Sequence, residues 1–336
     1  MTVKSYLDRQ ITPKLRTPVF WIGLLTSLTC VFLSIHKLDW QQLSTLWHRI
    51  DYRWVAFGAA MILVHTLARA ARWRALFTPP VPSLEVALTA MLIGQTMNAL
   101  LPARSGDIPR IYWLAEQEGQ SKARALGTMA AEKVLDLILL VVVLFLVPCW
   151  APANPPWLAK ATWGGAIALI LLYLGLRAGL AWQEPLMNRL AEAARQHNIR
   201  WWLGVQERLA RVAEGVQGLR EFHLLWRGAL LSLIAWFWGA AANLAVLHAL
   251  GLPLSWPMAL IVSAALRVGI ALPSLPANVG VYEGTVLLAL GVFGVEREVA
   301  LSYGLLMHLV DLLPPLALTL GLVWRNHLGI RFSNEG

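Results

Sequence analysis

Nine apolar runs, at about 18–35, 53–68, 84–101, 125–149, 161–181, 228–250, 257–275, 281–294 and 299–324, take up most of this 336-residue chain. Several match the roughly 20 apolar residues that a helix needs to cross a bilayer, and others are too short. Only 14% of residues are charged, against about 25% in soluble domains. The composition excludes a cytosolic enzyme and a disordered chain, and it predicts an all-α polytopic membrane protein.

The formal net charge of +9 comes from 28 Lys and Arg against 19 Asp and Glu. The basic residues fall between apolar runs, where they set orientation and meet anionic headgroups. No basic-aromatic module or zinc-finger spacing points to nucleic acid. Cys30 and Cys149 lie inside apolar runs with no metal-ligand spacing and read as packing residues, so neither a metal nor a disulfide framework is expected. Trp54, Trp150, Trp157, Trp182, Trp226, Trp256 and Trp324 fall near run ends, where indole favours the membrane interface.

The first run follows Lys4, Arg9, Lys14 and Arg16. Its long core and the lack of a small-residue cleavage site favour an uncleaved first span. Segment 177–227 holds Arg and no Lys; with the N-terminus and Arg69, Arg72 and Arg74 it is assigned to the cytoplasm. For run 125–149 to go outward and 161–181 inward, run 84–101 must enter from the cytoplasm and turn back. By the same reasoning 257–294 enters from outside and returns, and both termini are cytoplasmic. The expectation is about six full spans plus two re-entrant broken-helix hairpins.

Both turning points carry similar text. The first is Leu101-Pro102-Ala103-Arg104-Ser105-Gly106-Asp107 and the second Leu275-Pro276-Ala277-Asn278-Val279-Gly280-Val281. Asp136 and Asp311 then follow in matching apolar helices, each preceded by Leu-Val or Val-Leu and followed by Leu. This predicts an inverted-topology repeat, about 54–149 against 228–324, within one integral membrane domain. Between the halves, Trp202, Val205, Leu209, Val212, Val216 and Leu219 recur at helical spacing. That stripe marks 183–226 as an amphipathic cytoplasmic segment, lying on lipid or packed on the protein's own loops.

Ionisable residues inside apolar runs face a cavity or a partner. In the first half these are Arg104, Asp107, Arg110, Glu132, Lys133 and Asp136; in the second, Arg267, Glu283, His308 and Asp311. Pro102 and Gly106, and Pro276 and Gly280, are the hinges of the two loops. A helix restarting after each loop presents unpaired N–H groups that suit an anion. Arg104, Asp107, Arg110, Arg267, Asn278 and Glu283 are therefore candidate substrate contacts. Glu132, Asp136, His308 and Asp311 are candidate coupling or ion-pair residues. Competing readings stay open: Arg104 pairs with Asp107, Glu132 and Asp136 pair with Arg104 or Arg110, Glu283 is a helix cap, and His308 is a core histidine. Asp136, Glu283 and Asp311 are all eligible partners for Arg267.

The stretch Asn98–Arg110, then Glu132 and Asp136, then Pro276–Glu283 resembles the lysylphosphatidylglycerol synthase transmembrane-region family of flippase-like membrane domains. That family's loops read approximately L-P-G-R-x-G-E-x-x-R and P-G-G-x-G-x-x-E. Here Ala103 replaces Gly, Asp107 replaces Glu, and Ala277-Asn278 replaces a Gly pair. The resemblance implies movement of a phospholipid, aminoacylated lipid or lipid-linked glycan between leaflets, and the Arg-rich, Lys-poor composition with its many Trp fits a bacterial plasma membrane. The expected partners are anionic or phosphate-bearing lipids and a separate lipid-modifying enzyme, since no fused aminoacyl-transferase domain is expected after residue 325. No nucleotide-binding motif is present and no cofactor is expected. The alternatives are an ion-coupled small-solute transporter, an integral-membrane lipid-phosphate transferase and an accessory subunit.

Overall fold

Long apolar stretches rich in Leu and Ala leave the backbone no water to bond, so it satisfies itself within helices. A computed structural model describes residues 18–36, 38–101, 106–146, 160, 163–171, 174, 222–253, 255–272 and 274–326. Among these residues the chain is helical with no strand. Helix α1 spans Pro18–Ile35, α2 Trp40–His48, α3 Tyr52–Ala75, α4 Leu84–Leu100, α5 Asp107–Gln117 and α6 Lys122–Leu146. Then follow α7 (Phe222–Ala249), α8 (Trp256–Gly269), a 3-10 turn (Pro276–Asn278), α9 (Val281–Gly291) and α10 (Arg297–Asn326). Residues 163–171 are also helical. The amphipathic stripe from Trp202 to Leu219, Pro102 and Arg104 lie outside the described residues.

Among the described residues three helices are long and apolar enough to cross a membrane: Tyr52–Ala75, His223–Ala249 and Arg297–Leu322. A fourth candidate is the pair α1 and α2, bent by 85° at their junction. At 25 residues α6 is also long enough, but Glu132, Lys133 and Asp136 interrupt its apolar character. Most of run 161–181 falls outside the described residues. The element order repeats: long helix, short apolar helix, break, 11-residue helix and long helix occur as α3–α6 and again as α7–α10.

The chain divides into two compact units. The first comprises residues 1–66, 89–110 and 237–336. There α3 and α7 run antiparallel: Gly58 lies against Val246 and the carbonyl of Ala242, and Gly239 lies under the His65 ring. Trp54 meets His248 edge-on at 4.5 Å. Helix α7 ends at Gly251, whose φ of 73° suits only glycine without strain. Asp39 caps α2 by accepting from the amides of Gln41 and Gln42. Its own amide donates to Glu298 at the start of α10.

Helix α10 carries Pro314 and Pro315, which offer no N–H to the carbonyls of Val310 and Asp311. One turn on, the Thr319 hydroxyl donates to the Pro315 carbonyl, and Thr96 of α4 bonds Thr319 at 2.9 Å. Such hydroxyls re-satisfy backbone near a proline in an apolar setting.

The second unit comprises residues 67–88 and 111–236. Leu76, Ala131 and Leu135 form an apolar core. Gly228 sits where a Cβ would meet Leu76 and Leu135 at 3.0 and 3.1 Å. The link from α3 to α4 is tied down by Arg74 to the Pro82 carbonyl, Gln120 to the Pro80 carbonyl and Arg124 to Thr78.

Candidate functional site

Both breaks are closed by a helix crossing too tight for any side chain. In the first, a Cβ on Gly106 would stand 2.2 Å from the Gly94 carbonyl oxygen and 2.6 Å from the Asn98 nitrogen. The Gly106 amide donates to Asn98 Oδ1 at 2.8 Å, and a Cβ on Gly94 would meet Arg110 at 3.2 Å. Helices α4 and α5 are therefore an antiparallel hairpin. In the second break Gly269 faces Thr285, whose hydroxyl would lie 2.1 Å from an added Cβ. Gly94 and Gly269 hold corresponding places on the two descending helices, 175 residues apart.

The loop of the second break uses unusual backbone. Ala277 and Asn278 have φ of 57° and 59° and Gly280 has 82°. Left-handed backbone costs an alanine about 1–2 kcal/mol, whereas Asn tolerates it. The Asn278 amide closes a turn on the Leu275 carbonyl. Its side chain accepts from the Ser274 hydroxyl at 3.0 Å. This is the stretch where the resembling family places two glycines, the residue type that adopts such angles freely.

Helix α1 backs this loop with small residues. Ser27 Oγ accepts from the Leu275 amide at 2.9 Å. Gly280 presses on the Ser27 carbonyl, Gly23 lies on Ser274, and Gly284 lies on Cys30. A larger residue at Gly280 or Gly23 would push the helix off the loop.

After the break the first turn of α9 gathers the polar groups. Glu283 Oε2 accepts from the Gly280 amide at 2.7 Å, the cap geometry expected of a carboxylate at a helix start. Its Oε1 lies 2.7 Å from His308 Nδ1 on α10. The Tyr282 ring stacks on the His308 ring at 4.4 Å, and its hydroxyl donates to Asp311 Oδ2 at 2.5 Å. Glu283 is buried, and His308 and Asp311 are half-buried. Nearby, Tyr303 donates to Asn243 Oδ1, and Asn243 donates to the Gly239 carbonyl and to Ser263. Glu283 is thus a helix cap, and His308 is a satisfied histidine whose partner is a carboxylate.

In the first break Arg110 is fully buried in the first turn of α5, and Asp107 opens that helix half-buried. Arg267 sits half-buried in the last turn of α8. One N–H at each restarting helix already has a protein partner: Asn98 for Gly106 and Glu283 for Gly280. The helix ends are less open to an anion than the sequence suggested.

Glu132 and Asp136 belong to a separate cluster in the second unit. Arg72 donates to Asp136 Oδ1 at 2.6 Å and Oδ2 at 3.1 Å, and to Glu132 Oε1 at 2.8 Å. It also reaches Ser232 on α7 at 3.2 Å, and Arg69 lies 3.5 Å from Glu132. The partner expected from the sequence was Arg104, which lies outside the described residues, or Arg110; among the described residues Arg72 grips both carboxylates. It had been counted among basic residues facing headgroups, but it is 1% exposed, because α3 continues to Ala75 and turns Arg72 toward α6. The spacing could have revealed it: Arg69 and Arg72 stand one turn apart, as do Glu132 and Asp136. Tyr282, Tyr303, Asn243 and Ser27 were also missed, being polar residues too common in helices to stand out by type.

No curated protein sequence matches the chain. Residues 20–319 match the profile of the lysylphosphatidylglycerol synthase TM region, so this membrane protein belongs to that family and to lipid biology.

Proposed function

We propose that the chain is a lipid flippase or scramblase, not an enzyme, that carries a phosphate-bearing headgroup between leaflets while the acyl tails stay in lipid. The observation that carries the reading is the matched pair of broken helices. Each restarts within a turn of a buried charged residue, Arg110 after the first break and Glu283 after the second. Broken helices at mid-membrane are where transporters place substrate groups, and a buried charge there needs a polar occupant or partner. The antiparallel course of α3 and α7, the leading helices of the two halves, supports reading them as inverted repeats.

On this reading the protein sits in a bacterial plasma membrane with both termini cytoplasmic and both breaks re-entrant. A separate lipid-modifying enzyme supplies its substrate. Transport is downhill or ion-driven, because the sequence lacks a nucleotide-binding motif. The test is dithionite quenching of fluorescent lipids in liposomes holding the purified protein. Translocation above empty liposomes, removed by Arg104→Ala and by Glu283→Ala, is expected. Equal activity in wild type and both variants would mean leakage through a membrane defect and would sink the reading.

A further inference from the structure

The two halves carry acidic residues at corresponding places, Asp136 and Asp311, yet the structure surrounds them differently. Asp136 and Glu132 face two guanidiniums, Arg72 and Arg69, and guanidinium holds its charge at any physiological pH. Among the described residues that cluster sets two guanidiniums, whose charge is fixed, against its two carboxylates. Glu283 instead faces an imidazole, the side chain whose charge changes most readily near neutral pH.

The Nδ1 to Oε1 separation of 2.7 Å is a hydrogen-bond distance, so one proton lies between the two groups. The other carboxylate oxygen accepts from Gly280, and the His308 ring also bonds the backbone of Ala277. His308 thus reaches the backbone of Ala277, within the left-handed turn, and the Glu283 cap after it. Of the groups packed around His308, α9 supplies Glu283 and Tyr282, and α10 supplies Asp311 and Tyr303. Helix α1 supplies Cys30, near Gly284, and α8 ends in Arg267.

We propose that Glu283 and His308 form an exchangeable proton-binding site that couples proton uptake to the state of the second broken loop. The role in transport rests on the lipid-moving reading; the proton site itself does not. With the proton bound, the imidazolium and carboxylate hold the turn shut. On release one ring proton leaves a nitrogen for water, the ring becomes neutral, and Glu283 keeps its charge without a cation beside it. No electron moves and no other bond breaks. The buried carboxylate is then short of a counter-charge, which favours opening of the turn.

The deciding experiment is ¹⁵N NMR of histidine-labelled protein in lipid nanodiscs across about pH 5 to 9, the range where imidazole titrates. His308→Asn identifies the signal of His308 by its loss. In wild type that signal is expected to convert between imidazolium and imidazole. Glu283→Gln is expected to weaken proton binding by about tenfold, equal to one pH unit. Glu283→Asp, which keeps the charge, is expected to restore part of that loss and guards against a misfolded Gln variant. A His308 signal that stays neutral throughout, or that titrates alike in wild type, Gln and Asp variants, overturns the proposal. In liposomes, a pH gradient is then expected to change lipid translocation by wild type several-fold but not by His308→Asn. No translocation of any lipid beside a titrating His308 would overturn the lipid-moving reading while supporting the proton site.

Discussion

Asp136 takes both arms of the Arg72 guanidinium, Nη1 to Oδ1 at 2.6 Å and Nη2 to Oδ2 at 3.1 Å. The same guanidinium serves Glu132 one turn earlier on α6 and Ser232 on α7. A single buried side chain therefore ties three helices together.

Removing Arg72 is expected to cost more than its contacts are worth, because buried Glu132 and half-buried Asp136 would lose their principal cation. Breaking one side of a buried ion pair costs about 3–5 kcal/mol, whereas replacing the whole pair with apolar residues is often neutral. Arg72→Met should therefore unfold at markedly lower temperature in detergent. The triple variant Arg72→Met, Glu132→Leu and Asp136→Leu should recover most of the loss. A single variant as stable as wild type would show that the cluster is solvated.

Gly280 is held by two independent constraints. Its φ of 82° disfavours any side chain, and a Cβ would stand 2.5 Å from the Ser27 carbonyl oxygen and 2.7 Å from Val31. Gly280→Ala should destabilise by more than the roughly 1–2 kcal/mol of left-handed strain alone, since α1 must also retreat. Gly291→Ala, eleven residues on and with nothing within 4 Å of an added Cβ, should be harmless. Equal thermal stability of the two variants would contradict the packing of α1 on the loop.

The broken-helix plan was legible in the sequence because Pro and Gly recur at matching places in runs too short to span twice. Helix α4 ends at Leu100 and α5 starts at Asp107, while α8 ends at Gly269 and α9 starts at Val281. Glu283 and His308 were visible as ionisable residues in apolar text, but their mutual contact was not. It depends on how α9 and α10 pack after a loop whose path single-residue patterns do not set. Arg72 was misjudged for the opposite reason. Its neighbours Arg69 and Arg74 suggested a basic membrane border, and only the continuation of α3 to Ala75 carries Arg72 inside. The bend between α1 and α2 was invisible because one apolar run leads to Asp39, whose capping role is local.

Ala277 offers a gain. Alanine at a φ of 57° bears the left-handed penalty of about 1–2 kcal/mol, while glycine bears none and loses about 0.5–1 kcal/mol through the freer unfolded chain. Ala277→Gly should therefore leave stability unchanged or raise it by up to about 1 kcal/mol. The family's glycine at this place has the same physical cause. A clear loss in melting temperature for Ala277→Gly would mean that the left-handed turn is not the resting conformation.

The seam between α1 and α9 can be tested by chemistry alone. A Cβ built on Gly284 lies 3.4 Å from Cys30 Cβ and 3.6 Å from its Sγ, close to the roughly 3.5–4.5 Å between Cβ atoms joined by a disulfide. With Cys149→Ser removing the other native thiol, Gly284→Cys should crosslink to Cys30 under mild oxidant. Proteolysis between the two positions would then leave the fragments joined until reductant is added. Gly291→Cys in the same background should stay uncrosslinked, because that position has no neighbour within 4 Å. If the first turn of α9 must leave α1 for a headgroup to pass, the crosslinked protein should lose lipid translocation and regain it on reduction. Crosslinking with full translocation would place the moving part elsewhere, and no crosslinking would remove α1 from the loop altogether.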